Sequence, residues 1–150
     1  MAFQNVDDVL AFAIAREEEA ARTYHDLAAR AESENGRTFL AELAAEERNH
    51  RKLLADLRDG RAVALKTVRV ADLGLTDGLV EEPLDAASSY QDILIAAAKK
   101  EAQAVVLYSG LAEAAEDPAH KSLFEFLAGQ ERRHKLRLEK EYETRVLTEF

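Results

Sequence analysis

Two copies of one pattern of carboxylates, phenols and imidazoles recur 84 residues apart. Glu17-x-x-Ala20-x-x-x-Tyr24 is followed by Glu47-x-x-His50, and Glu101-x-x-Ala104-x-x-x-Tyr108 by Glu131-x-x-His134. At 3.6 residues per helical turn, positions three, four and seven apart share a face, so Glu47 and His50 project together from adjacent turns and can grip one ion. Glu17 and Tyr24 share a face in the same way, as do Glu101 and Tyr108. Four carboxylates and two imidazoles with duplicated spacing make the ligand set of a two-metal site.

These groups fall on apolar stripes. Around Glu17 the helical neighbours are Leu10, Ala13, Ile14, Ala20, Ala21, Leu27 and Ala28; around Glu131 they are Phe124, Leu127, Ala128, Leu138 and Tyr142. Ionised groups in an apolar interior are costly unless paired or metal-bound. Two histidines do not neutralise four glutamates, whereas two divalent cations do. Carboxylate oxygens with imidazole nitrogens suit iron(II), manganese or zinc. The competing reading is an ordinary bundle whose glutamates pair with the flanking Arg16, Arg22, Arg48, Arg51, Arg132 and Arg133. His25 and His120 are expected at the surface, and Glu18, Glu19 and Glu46 in solvent.

The elements that must position these residues are helical throughout. The 150 residues suffice for one domain, and the composition is 47% hydrophobic, with two prolines and no tryptophan. Periodicity and breakers predict helices over about 6–32, 37–58, 90–116 and 118–148, with Asn5 as the first N-cap, a break at Ser33-Glu34-Asn35-Gly36, and Asp117-Pro118 as cap and first position of the fourth helix. Short turns make hairpins of helices one and two and of three and four. Residues 60–87 form a long crossover between helices 2 and 3, long enough to close one bundle or to reach a neighbouring subunit. Its Asp72-to-Glu82 stretch lacks the ligand alternation of a calcium loop.

A net charge of −9 and a pI near 5.0, with no basic run, argue against nucleic acid as partner. Zero cysteines exclude disulfides and iron–sulfur clusters. No apolar run is long enough for a membrane span and no export signal is visible, so a cytoplasmic location is expected.

The doubled pattern resembles the ferritin-like superfamily and, within it, the erythrin-type domain of rubrerythrins: one Glu from each of two helices and a Glu-x-x-His from each of the other two. The resemblance implies an all-α, ferritin-like four-helix bundle. It implies that Glu47 and Glu131 bridge two irons, that Glu17, Glu101, His50 and His134 each cap one, and that Tyr24 and Tyr108 hydrogen-bond ligand carboxylates across the bundle. The implied activity is an oxidoreductase, a peroxidase or ferroxidase that oxidises a di-ferrous centre with hydrogen peroxide or dioxygen. Two departures matter. Full rubrerythrins carry a cysteine-built rubredoxin module, so a separate electron-donor protein is expected here. Rubrerythrins also commonly carry a Glu at the position of Ala104, and its loss makes the ligand set more symmetric, nearer to bacterioferritin. A homodimer is expected, helix-swapped or not. The alternatives are an iron-sequestering protein and a di-manganese site of catalase type.

Overall fold

The computed structural model describes residues 6–60 and 89–148. They form four helices: α1 Val6–Arg30, α2 Glu34–Gly60, α3 Tyr90–Ala114 and α4 Pro118–Thr148. The predicted cap at Asn5 and the crossover lie outside the described residues. Among the described residues no helix is long and apolar enough to cross a membrane.

Each well-defined boundary has a local cause. Ser89 accepts a hydrogen bond from the Asp92 N–H at 3.0 Å and starts α3. Asp117 accepts from the Ala119 N–H at 2.8 Å, with Pro118 supplying the pre-set φ of the first turn of α4. At the end of α3, the Ala115 N–H bonds the Leu111 carbonyl. The Ser33–Gly36 stretch behaves differently from the expected break, because α2 already runs from Glu34. Ser33 is its cap, accepting from the Gly36 N–H at 2.9 Å. Gly36 sits inside the helix at a close approach: a Cβ there would meet Ser33 Oγ at 2.9 Å and Glu141 Oε1 of α4 at 3.2 Å, so the capping hydroxyl and the Glu141 carboxylate would have to shift.

The helices alternate in direction around the bundle. Tyr24 meets Glu101 while Tyr108 meets Glu17, so α1 and α3 run antiparallel. Glu42 meets Arg137 and His50 meets Glu131, which makes α2 and α4 antiparallel as well. With antiparallel hairpins at 31–33 and 115–117, α2 and α3 run parallel.

The core divides into two apolar clusters. One gathers Val9, Leu10, Ala13, Leu54, Leu107, Leu111, Phe124 and Leu127; the other gathers Leu27, Leu40, Leu43, Leu94, Ala97 and Leu138. Each draws on all four helices, and each fully buried Leu contributes roughly 1.5–3 kcal/mol. The six predicted ligand residues lie along the helices between the two clusters.

Candidate metal centre

All six are buried, none more than 2% exposed. Mid-helix placement on the inward stripe explains this: Glu17 follows Leu10, Ala13 and Ile14 on α1, and Glu131 follows Phe124 and Leu127 on α4. Their donor atoms converge as two overlapping groups. Glu17, Glu47, His50 and Glu131 offer atoms within 4.8 Å of one another, and so do Glu47, Glu101, Glu131 and His134. The groups share Glu47 and Glu131 and differ in the rest.

Individual distances reproduce that division. Glu47 Oε1 lies between the two imidazoles, 3.2 Å from His50 Nδ1 and 3.0 Å from His134 Nδ1. Glu131 Oε1 lies 2.8 Å from His50 Nδ1 and 3.8 Å from His134 Nδ1. Glu17 approaches only His50, at 3.7 Å, and Glu101 only His134, at 3.5 Å. The imidazoles stack, with centroids 5.7 Å apart and planes 12° from parallel.

Around this set, Tyr24 donates to Glu101 Oε1 at 2.8 Å and Tyr108 to Glu17 Oε1 at 2.5 Å, each from the facing helix. Burial, and then the carboxylates beside them, push both phenols well above their ordinary pKa, so they remain donors. Glu46 contacts His134 Nε2 at 2.5 Å. It was expected in solvent, and its side chain is 40% exposed, but its carboxylate turns inward to that ring. The position 84 residues on is Gln130.

The residue that sequence reasoning placed only among flanking cations is Arg16. Its guanidinium enters the cluster and touches all four carboxylates: Nη1 donates to Glu17 Oε1 at 2.8 Å and Glu47 Oε2 at 3.3 Å, and Nη2 lies 2.6 Å from Glu101 Oε1 and 3.0 Å from Glu131 Oε2. Burial opposes its charge, but the four glutamates hold its pKa well above the ordinary value. The two histidines are therefore not, as expected from sequence, the only protein cations facing the four glutamates: Arg16 is a third. Burial would lower the pKa of both imidazoles, yet Glu17 and Glu47 push His50 up to about 9, and Glu101 and Glu47 push His134 up to about 10. Among the acids, burial would raise Glu47, but His134, His50 and Arg16 hold it well below the usual range. Burial raises Glu131 well above that range, with Glu101 and Glu17 adding repulsion. Charge in the cluster is thus balanced by the Arg16 guanidinium and by two imidazoles that the carboxylates favour in their charged form, while burial disfavours a charge on Glu131.

His25 is exposed. His120 is not: it is 5% exposed, because it occupies the inward stripe of α4 that continues through Phe124 and Leu127. That spacing was readable from the sequence. Glu18 pairs with Arg51 at 2.6 Å, and Glu19 with Lys100. Arg22, Arg48, Arg132 and Arg133 are exposed.

The donors fit metal ions. Glu17 Oε2 and Glu101 Oε2 are buried without a hydrogen bond, at about 1–3 kcal/mol for each such atom, while Glu47 Oε1, Glu131 Oε2 and His134 Nδ1 are buried with only ion-pair contacts at 3.0–3.2 Å. Together they are the oxygen and nitrogen donors that a divalent first-row cation takes.

The comparisons agree with this geometry. The Rubrerythrin family profile matches residues 8–142. Among solved structures, a hypothetical protein from Pyrococcus furiosus is similar: 27% identical, with a TM-score of 0.68 over 90% of this chain and 86% of that one. No curated protein matches. With the duplicated Glu and Glu-x-x-His pattern buried in a four-helix bundle, and the family profile covering nearly its whole length, the chain belongs to the rubrerythrin family of the ferritin-like superfamily.

Proposed function

We propose that this protein is a non-haem di-iron oxidoreductase that reduces hydrogen peroxide or dioxygen, with Glu47 and Glu131 bridging the two ions, Glu17 and His50 completing one ligand set, and Glu101 and His134 the other. The observation that carries the reading is the sharing of Glu47 and Glu131 by two donor groups that otherwise have no member in common. Two bound ferrous ions would supply the two electrons that, with two protons, convert one peroxide to two waters.

The chain's own residues prepare the site for this. Tyr108 and Tyr24 hold Glu17 and Glu101 by one oxygen each, leaving the other oxygen of each without a hydrogen bond. Glu46 fixes the ring of His134 with Nδ1 turned inward, the contact by which outer groups orient ligands. The two apolar clusters exclude water on either side. A groove of about 460 Å³ along α1 and α2, lined by Glu17, Glu18, His25 and Arg51 among others, borders the ligand Glu17 and would serve as the access route for ions and oxidant. These 150 residues hold no cysteine, and in this reading electrons would return from a donor group outside them.

Anaerobic titration of metal-free protein with ferrous iron, followed by a stoichiometric pulse of hydrogen peroxide, tests the proposal through the near-ultraviolet absorption of ferric iron. Saturation at two irons per chain and fast oxidation support it. Peroxide consumption by the manganese-loaded protein with no reductant would replace it with the catalase-type reading, and slow oxidation with retained iron would replace it with sequestration. Binding at background level would end it.

A further inference from the structure

Arg16 is the feature that the ligand scheme leaves unused. Its backbone lies one position before Glu17, about 100° around α1 from the ligand face. It reaches the cluster by its long stem, and 13% of the side chain is still exposed. The equivalent residue 84 positions on is Lys100, which stays outside and pairs with Glu19 of α1. The cage therefore receives one guanidinium, from α1, and the matching cation of α3 stays outside. The guanidinium touches the four carboxylates shared out between the two donor groups, and its partners include Glu17 Oε1 and Glu101 Oε1, which the tyrosines also bind.

We propose that Arg16 is a built-in competitor for the metals: its guanidinium holds the four carboxylates together until divalent cations displace it toward solvent. The inference rests on the two-metal reading above. Two divalent ions together with a guanidinium would bring five positive charges against four carboxylates, all at one cluster of oxygens. Like charges at such separations repel strongly in a dry interior. The side chain is 13% exposed, so the guanidinium has a short path to solvent, and long cationic side chains ordinarily keep their charged head in water. The device suits a protein that must keep its carboxylate cage assembled before metal arrives. It also sets a threshold, because metal binds only as tightly as it outcompetes an internal ligand.

The test uses zinc, which is diamagnetic, and two readouts on the whole protein. Chelator-competition titration compares wild type with Arg16→Met, and ¹⁵N NMR follows the Arg16 Nε–H of wild type during zinc addition. Arg16→Met is expected to bind zinc at least about tenfold more tightly. Its metal-free form should melt lower, by on the order of 10 °C, because the carboxylates lose their partner. In wild type the slowly exchanging Nε–H should pass to solvent-rate exchange as zinc saturates. If zinc binds and Arg16 stays protected, or if both proteins bind equally, the displacement is overturned and the two-metal reading stands. If neither protein binds zinc or ferrous iron, both fall. Should Arg16→Met fail to fold, the wild-type NMR titration decides alone.

Discussion

His134 Nε2 donates to the Glu46 carboxylate at 2.5 Å while Nδ1 of the same ring faces Glu47 at 3.0 Å, so one imidazole is held from outside and presented inward. The other imidazole has no such anion at the equivalent place, where α4 carries Gln130, and its ring lies edge-on to Phe126 at 6.2 Å. The two halves of the pattern are thus chemically unequal. Glu46→Gln is expected to weaken metal binding at the His134 half by about 10–100-fold and leave the other half unchanged, turning a titration with one transition into one with two. Gln130→Glu should strengthen the His50 half. A uniform loss across both halves would show that Glu46 acts only through overall charge.

Glu47 and Glu131 approach both imidazoles, whereas Glu17 and Glu101 approach one each. Glu47→Ala or Glu131→Ala should therefore abolish binding of both ions, and His50→Ala should chiefly remove one. Elemental analysis of folded, dialysed protein reads this out, with circular dichroism to confirm that the bundle persists. Equal losses in all three variants would remove the bridging role.

The Tyr108 hydroxyl donates to a buried carboxylate. Hydrogen bonds to charged groups contribute about 1.5–3 kcal/mol, which for a chain of this size corresponds to a fall in melting temperature of roughly 3–12 °C in Tyr108→Phe. Calorimetry of the metal-free protein measures it, and an unchanged melting temperature would reduce Tyr108 to core filling.

The pH dependence of the metal-free protein has a defined sign. His50 and His134 have folded pKa values of about 9 and about 10, above their ordinary 6.5. The stability they contribute is complete below 6.5 and is lost as pH rises through 9 to 10. Raised pKa values at Glu17 and Glu131 act in the same direction. Glu47 and Glu101 are lowered, so their contribution holds above 4.5 and is lost as the solution becomes acidic. Melting temperature should therefore fall between pH 7 and pH 10. Zinc binding at pH 7 should release protons, because ligating imidazoles must be neutral; at least about two per chain are expected in weakly buffered solution. Absence of proton release would mean that the histidines do not ligate.

Much of this was legible because it follows periods. Glu17, Glu47, Glu101 and Glu131 lie on apolar stripes, and a carboxylate on such a stripe in duplicate has few explanations other than a metal site. Arg16 was not legible by the same logic. It lies off the stripe, six arginines flank the motifs, and spacing alone does not say which long stem turns inward. A comparison of the two halves position by position holds the clue, since Arg16 matches Lys100 and Glu46 matches Gln130. Departures from the internal repeat fall where the two halves are built differently. Gly36 misled for a related reason: glycine marks breaks in isolated sequence, and here it answers to Glu141 on another helix.

The polar layer between the two apolar clusters has a consequence for assembly. In helices rich in Ala and Leu, a slip by one turn, about 5.4 Å, still sets apolar residues against apolar ones, and a hydrophobic pattern of about the right size is enough to hold a bundle together. In this bundle such a slip would carry Glu47 and Glu131 against leucines and strand Arg16 among them, leaving several buried charges unpaired. The layer therefore acts as a key cut into an otherwise permissive interface: it admits one register of four helices and refuses its neighbours, whatever ions it later holds.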